Sequence, residues 1–272
     1  MFAGPLFFCK RCGYALSLGD GDYRRVGVVS YPKSGRTWFE HLVYHYTLAH
    51  FDAVDLDYGF TLRPTLRKKF QCLLLDRGRD AAYPILSFRH GGSKGDRSTA
   101  RLRDKTQDFL EGPTILLVRD PRAVVVSYYH HLRTKGECRS NDLATFVRDP
   151  EQGLARIVRF LNFWARHACA GHAHLHVVRY ERLRADTRTA LASALSFAGV
   201  SQVEATARDH AVRESSFEAM QARELSRPGA RRARLGATDT LRVRRGGAAG
   251  VDELADADRA LIDRVLAADL DH

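Results

Sequence analysis

The chain has 272 residues, 44% of them hydrophobic, which is ordinary for a soluble protein and enough for one large α/β domain with a substantial core. Forty-three basic residues against 32 acidic ones leave a net charge of +11, which favours an anionic partner: nucleic acid, a membrane surface or a multiply charged nucleotide. Five scattered cysteines exclude a disulfide framework and are read as reduced thiols in a cytoplasm.

Residues 1–25 read as a lead-in. Its apolar start is broken by Lys10 and Arg11, so neither a signal peptide nor a membrane span is expected. Cys9 and Cys12 form a CxxC, but the second pair needed for a four-ligand zinc site is missing. From Val26 onward strand and helix patterns alternate. Val26, Val28, Val29 and Tyr31 make a run with the length of a buried parallel strand. Pro32 stops it, Gly35 turns the backbone, and from Arg36 the spacing of Trp38, Phe39, Leu42, Val43 and Tyr46 is helical. The polar stretch 52–82 reads as an insertion. A second strand, 85–88, ends at Arg89 and His90 before an open GGSKGD loop, and a third, 115–118, ends at Arg119, Asp120 and Pro121. Val124, Val125, Tyr128 and Leu132 resume helical spacing, another helix covers 154–161, and 175–179 reads as a fourth strand. Helices at 187–198, 202–212 and 254–268 complete the pattern.

This alternation predicts an α/β fold, a single domain over 26–272 with a central parallel sheet flanked by helices and a phosphate-binding strand-loop-helix in its N-terminal part. Ligands of such sheets sit beyond the carboxyl ends of the strands. That rule singles out Lys33, His90, Arg119 and Tyr180, each just past a predicted strand. The turn before Trp38 has the makings of an anion cradle, with unpaired backbone N–H groups at a helix start and the charge of Lys33 beside them.

An ATP-dependent small-molecule kinase is one alternative reading of such a cradle. The Walker loop needs a glycine directly before its Lys-Ser, whereas Pro32 fills that place here with no N–H to donate, and Lys33 precedes the glycine turn. A non-catalytic nucleic-acid-binding module is another, resting on residues 221–250 with eight arginines against two acids. It predicts steeply salt-dependent binding and leaves the strand-end residues unexplained, so nucleic acid is not the expected partner.

The residues YPKSGRTW closely resemble the PKSGTTW loop with which the cytosolic-type, PAPS-dependent sulfotransferase family holds the 5′-phosphosulfate of PAPS, 3′-phosphoadenosine 5′-phosphosulfate. The resemblance, to a bacterial-like member, implies that Lys33, Ser34, Gly35, Arg36, Thr37 and Trp38 bind this co-substrate, with Arg36 standing where the family usually has threonine. VRDPRAVVVSYYHH is similar to the family's 3′-phosphate segment, in which an arginine ending a strand and a serine eight residues on clamp the phosphate; Arg119 and Ser127 match them. His90 matches the family's catalytic histidine, while Phe88 stands where a lysine is usual. VVRYERL resembles a YEDL segment whose tyrosine, here Tyr180, helps enclose the adenine. ESSFEAM resembles an SFEXM segment, implying that Ser215, Phe217 and Met220 line the base pocket with Trp38 stacked on the ring. VRRGGAAG resembles an RKG segment that closes over the 3′-phosphate, giving Arg244, Arg245 and Gly246, without the usual tryptophan that follows.

The function implied is transfer of a sulfuryl group from PAPS to a hydroxyl or amine of a small-molecule acceptor, releasing PAP, the desulfated nucleotide. Lys33, His90 and Ser127 form the implied catalytic set. A histidine of ordinary pKa, about 6.5, is neutral at cytoplasmic pH and suits a general base. A fixed ammonium suits the charge that develops on the leaving phosphate. No metal is expected, since lysine and arginine take the place that magnesium has in kinases. His41 with His45, and His172, His174 and His176, have metal-capable spacings but are read as structural; His130 and His131, one turn after Ser127, are given the same bland reading, with the border of the acceptor pocket as the alternative. The KxxxTVxxxE dimer segment of many animal relatives is not seen, and no oligomeric state is assigned.

Overall fold

The computed structural model describes residues 6–8, 15–17, 25–52, 83–90, 112–169, 174–226 and 250–270, with 6–8, 15–17, 89 and 167–169 given as backbone. Two short strands, β1 (Leu6–Phe8) and β2 (Ala15–Ser17), pair antiparallel within the predicted lead-in. The body is a four-stranded parallel sheet made of β3 (Arg25–Ser30), β4 (Ile85–Arg89), β5 (Thr114–Val118) and β6 (Leu175–Arg179), in the spatial order β4-β3-β5-β6. Each of the four strands predicted from sequence is present within a residue of its expected bounds.

The helices are α1 (Arg36–His50), α2 (Pro121–Lys135), α3 (Leu143–Arg148), α4 (Leu154–Cys169), α5 (Tyr180–Ala185), α6 (Thr187–Ala198), α7 (Ala205–Glu214), α8 (Phe217–Leu225) and α9 (Asp256–Asp269). A 3-10 turn, Val251–Glu253, precedes α9. Strand alternation sorts them into two layers. Val26 and Val28 of β3, Ile115 and Leu117 of β5 and Val178 of β6 face α1, α6 and α7, where Phe39, Leu42, Tyr46, Leu191, Leu195 and Ala211 complete one core. Val29, Tyr31 and Leu116 point the other way, into Val125, Tyr128, Phe146, Ile157, Phe160 and Trp164 from α2, α3 and α4. Continuous apolar strands are the signature of a sheet covered on both faces, and the two cores supply the reason.

Capping fixes where several helices begin. Asp120 accepts from Arg122 N at 2.8 Å ahead of Pro121, Asp142 accepts from Thr145 N at 2.7 Å, Asp186 from Thr189 N at 3.1 Å and Ser216 from Ala219 N at 3.1 Å. The second predicted late helix is displaced from 202–212 to Ala205–Glu214, because residues 201–204 form a bend and extended lead into it. The insertion 53–82 and the loop 91–111 lie outside the described residues.

Candidate functional site

The register aligns the strand ends. Val29 lies beside Arg89, Ser30 beside Leu117 and Val118 beside Arg179. One residue further along, Tyr31, His90, Arg119 and Tyr180 therefore leave the sheet at one edge, its carboxyl end. The loop from β3 to α1 opens there. Gly35 precedes the helix in the left-handed conformation at φ 90°, no side chain caps the helix, and no acid lies in its first turn. The starts of α2, α3, α6 and α8 each have an N–H answered by a carboxylate or hydroxyl, whereas α1 shares an uncapped start with α5, α7 and α9 and differs from them in lying behind a left-handed glycine at the carboxyl end of the parallel sheet.

Lys33 is also left-handed, at φ 73°, uncommon for a residue with a Cβ. Its carbonyl accepts a hydrogen bond from Arg119 Nη1 at 3.0 Å, which ties the end of β5 to the loop after β3. The Arg119 guanidinium lies over the Tyr180 ring, 4.4 Å from its centroid. Burial pushes Arg119 below arginine's ordinary pKa, with Tyr180, Glu181 and Asp120 pulling the other way. It remains a cation, but one short of water, and an anion would restore what it lost. Behind it, Glu181 Oε1 accepts from Asp120 N at 3.0 Å and locks the starts of α2 and α5 together.

Tyr180 also explains Gly35. A Cβ on Gly35 would sit 2.5 Å from Tyr180 Cδ2, so only glycine lets the ring lie against the loop. Trp38 meets the same ring edge-on, with centroids 5.7 Å apart, and its Nε1 donates to the Ser215 carbonyl at 2.9 Å. His90 Nδ1 lies 3.3 Å from the Ser30 carbonyl. A carbonyl only accepts, so this contact places the imidazole hydrogen on Nδ1 and the lone pair on Nε2.

Lys33, Gly35, Trp38, Arg119, Tyr180 and Ser215 are thus linked by direct contacts, although the sequence spreads them over more than half the chain. Ser34 is buried, and Arg36 and Thr37 are half-buried in the first turn of α1. Ser127 is half-buried on α2 and Phe217 half-buried at the start of α8, while Met220 is buried one turn later. The buried Ser215 Oγ has no hydrogen-bond partner among the described residues. Arg244, Arg245 and Gly246 lie outside the described residues. The described chain resumes at Gly250, where a Cβ would approach Val126 Cγ1 to 3.2 Å, one residue from Ser127. His130 Nε2 pairs with Glu253 Oε2, and His131 stacks on Tyr128 with centroids 6.4 Å apart. Phe88 packs on Phe39 at 6.4 Å, so apolar contact occupies the place where a cation is usual.

Two histidines of the metal-capable spacings, His45 and His176, have other contacts, and His172 lies outside the described residues. His45 Nε2 accepts from Arg223 Nη1 at 2.9 Å, and His176 stacks on Phe197 at 5.1 Å. Among the described residues no group of three or more His, Cys, Asp and Glu side chains could hold a metal ion. Sequence reasoning missed Glu181 and the contacts of Arg223. Ser216 followed by Phe217 and Met220 was a readable helix-start signal for α8, whereas a contact between residues 45 and 223 leaves no local trace.

Residues 24–251 match the family model described as the sulfotransferase domain. Solved structures share the fold. Mouse sulfotransferase SULT7A1 complexed with PAP is 17% identical with a TM-score of 0.59, over 92% of this chain and 85% of that one. Retinol dehydratase in complex with androsterone and inactive cofactor PAP gives 18% and 0.59, over 91% of this chain and 82% of that one. The same enzyme with retinol and PAP gives 18% and 0.60 with the same coverage. No curated protein matches the chain by sequence. A single family description thus runs from the start of the parallel sheet to the turn before the last helix, and the chain belongs to the sulfotransferase domain family.

Proposed function

We propose that the chain transfers the sulfuryl group of PAPS to a hydroxyl or amine of a small-molecule acceptor and releases PAP. The observation that carries this reading is the contact of the Lys33 loop with Arg119 and Tyr180 at the carboxyl edge of the sheet, which sets an ammonium-bearing anion cradle beside a partly dehydrated guanidinium. Three features fit a doubly phosphorylated adenosine. The first turn of α1 has no side-chain cap, Arg119 is short of water, and the buried Ser215 Oγ has no hydrogen-bond partner among the described residues, beside the Trp38 indole.

In this reading Gly35, Arg36 and Thr37 present backbone N–H groups to the 5′ end of the nucleotide, while the Ser34 N–H is held by the Tyr31 carbonyl at 3.3 Å and leaves its hydroxyl for the ligand. Arg119 and Ser127 take the 3′-phosphate, and Trp38, Tyr180, Ser215, Phe217 and Met220 enclose the base. His90 removes the acceptor's proton through Nε2 while the acceptor bonds to sulfur, its ring held by the Ser30 carbonyl. Lys33 stabilises the charge that gathers on the 5′-phosphate as its bond to sulfur breaks. The left-handed backbone at Lys33 is held in place by Arg119, so one guanidinium serves both ends of the nucleotide.

The test is PAP release from PAPS across a set of phenols, sugars and amines. His90→Ala is expected to lose about 10² to 10⁴ in turnover, and Lys33→Ala about 10² to 10³. Both should unfold at the wild-type temperature, and His90→Ala should still bind PAP. Wild-type turnover in His90→Ala would remove the histidine from the mechanism.

A further inference from the structure

The turn between α7 and α8 is fastened to α1 at two points. At the first, the Ser215 carbonyl accepts from Trp38 Nε1 at 2.9 Å. At the second, Arg223 of α8 donates from Nη1 to His45 Nε2 at 2.9 Å and to the Glu214 carbonyl, and from Nη2 to Glu214 Oε2 at 2.7 Å. Trp38 and His45 are seven residues apart on α1, two turns of the helix and about 10 Å along its axis. One attachment would let the turn pivot; two fix its direction as well as its place.

The chemistry of the second point is well matched. A guanidinium only donates, so His45 must accept, and it does so as a neutral imidazole. Burial, then Arg223, His41 and His210, hold its pKa down to about 3. His45 is 2% exposed and is ringed by Tyr44, His41 and His210 at centroid distances of 5.1 to 6.1 Å, which keeps water from the contact. Glu214 supplies the counter-charge from the residue directly before Ser215. Arg223 therefore grips both the backbone and the side chain of the residue that delivers Ser215.

We propose that Arg223, acting through Glu214 and His45, is a positioning residue for the adenine side of the site: it holds the Ser215 peptide against the Trp38 indole and so shapes base recognition, leaving the phosphate grip untouched. This rests on the adenosine-bisphosphate reading above. Its consequence is a split between ligands. Loss of Arg223 weakens a nucleotide that has a base and spares one that has none.

The experiment is calorimetry of wild type, Arg223→Ala and Arg223→Lys with PAP and with ribose 3,5-bisphosphate lacking a base, together with acrylamide quenching of tryptophan emission in the ligand-free proteins. The chain has two tryptophans, and Trp164 is 1% exposed, so quenching reports on Trp38. Arg223→Ala should bind PAP about tenfold more weakly, the size of one charged hydrogen bond, and bind the base-free ligand within twofold of wild type. Trp38 should quench more readily, and turnover at saturating PAPS should stay within twofold. Arg223→Lys keeps the charge without the planar fork and should fall between, which preserves the test if the alanine variant does not fold. Unchanged PAP affinity, equal weakening of both ligands, or unchanged quenching would each overturn the proposal. Failure of wild type to bind PAP would instead retract the nucleotide reading, while quenching would still judge whether Arg223 sets the Trp38 contact.

Discussion

Lys33 and Gly35, two residues apart, both hold left-handed backbone, and the loop between β3 and α1 depends on the pair. For lysine that conformation costs about 1 to 2 kcal/mol, and the hydrogen bond from Arg119 to its carbonyl offsets part of it. Glycine bears no such cost, but it has a second duty, because the Tyr180 ring lies where a methyl group would be. Gly35→Ala should therefore do more than strain the turn. The added carbon pushes Tyr180 away from Arg119, and the variant is expected to lose about 1 to 3 kcal/mol of stability together with at least tenfold in PAP affinity, measured by thermal unfolding and calorimetry. Wild-type affinity in a folded Gly35→Ala would break the link drawn between Tyr180 and the loop. At this scale the sequence located Lys33, His90, Arg119 and Tyr180 through their places past strands. It could not disclose that Arg119 reaches a lysine carbonyl rather than Asp120, since that contact is created by a positive φ. Asp120 instead caps α2 and bonds Arg122.

At the scale of elements, α1 is held to α7 and α8 by histidines that the sequence presents as a possible metal pair. Because His45 titrates in the folded protein only near pH 3 but near 6.5 when unfolded, the unfolded chain binds the extra proton between those values. His45 thus contributes stability that is complete above pH 6.5 and is lost as pH falls toward 3. Between pH 7 and pH 5 the loss should be about 2 kcal/mol, followed by urea unfolding, and His45→Gln should flatten that part of the profile. His176, lowered by burial, acts in the same direction and remains in the variant. The depressed carboxyls of Asp142, Asp186 and Asp209 act below pH 4 and do not confuse the window. An unchanged slope in His45→Gln would contradict the buried neutral imidazole. Helices α1, α2, α4 and α6 were legible because each runs long enough for apolar spacing to repeat. The six-residue helices α3 and α5 are too short to show a period, and α8, with nine residues after its Ser216 cap, is barely longer.

For the whole molecule, the alternation of patterns foretold a parallel sheet but not its order, because strand order is set by crossovers that leave no local mark. The order β4-β3-β5-β6 is what lets a loop at residue 33 meet an arginine at 119 and a tyrosine at 180. The arginine excess is also partly accounted for. Arg122 with Asp263 and Arg148 with the buried Asp258 fasten the C-terminal helix to α2 and α3, while Arg188 with Asp209 joins α6 to α7. Pairs that remain exposed contribute at most about 1 kcal/mol each, so their part is to place elements rather than to hold the fold. Arg119 stands apart, since burial lowers its pKa at the carboxyl edge of the sheet, where an incoming phosphate would meet it. Among the described residues no helix is long and apolar enough to cross a membrane.

The central claim is that the cradle at Lys33 and the guanidinium of Arg119 together grip a nucleotide phosphorylated at both ends of its ribose. Calorimetry of wild type and Arg119→Ala with PAP, AMP and ATP tests it most directly. Wild type should prefer PAP over AMP by on the order of 100-fold, since charged hydrogen bonds to one added phosphate are worth about 1.5 to 3 kcal/mol each, and Arg119→Ala should erase that preference. Equal affinity for PAP and AMP in the wild type, or a preference that survives loss of Arg119, would contradict the account.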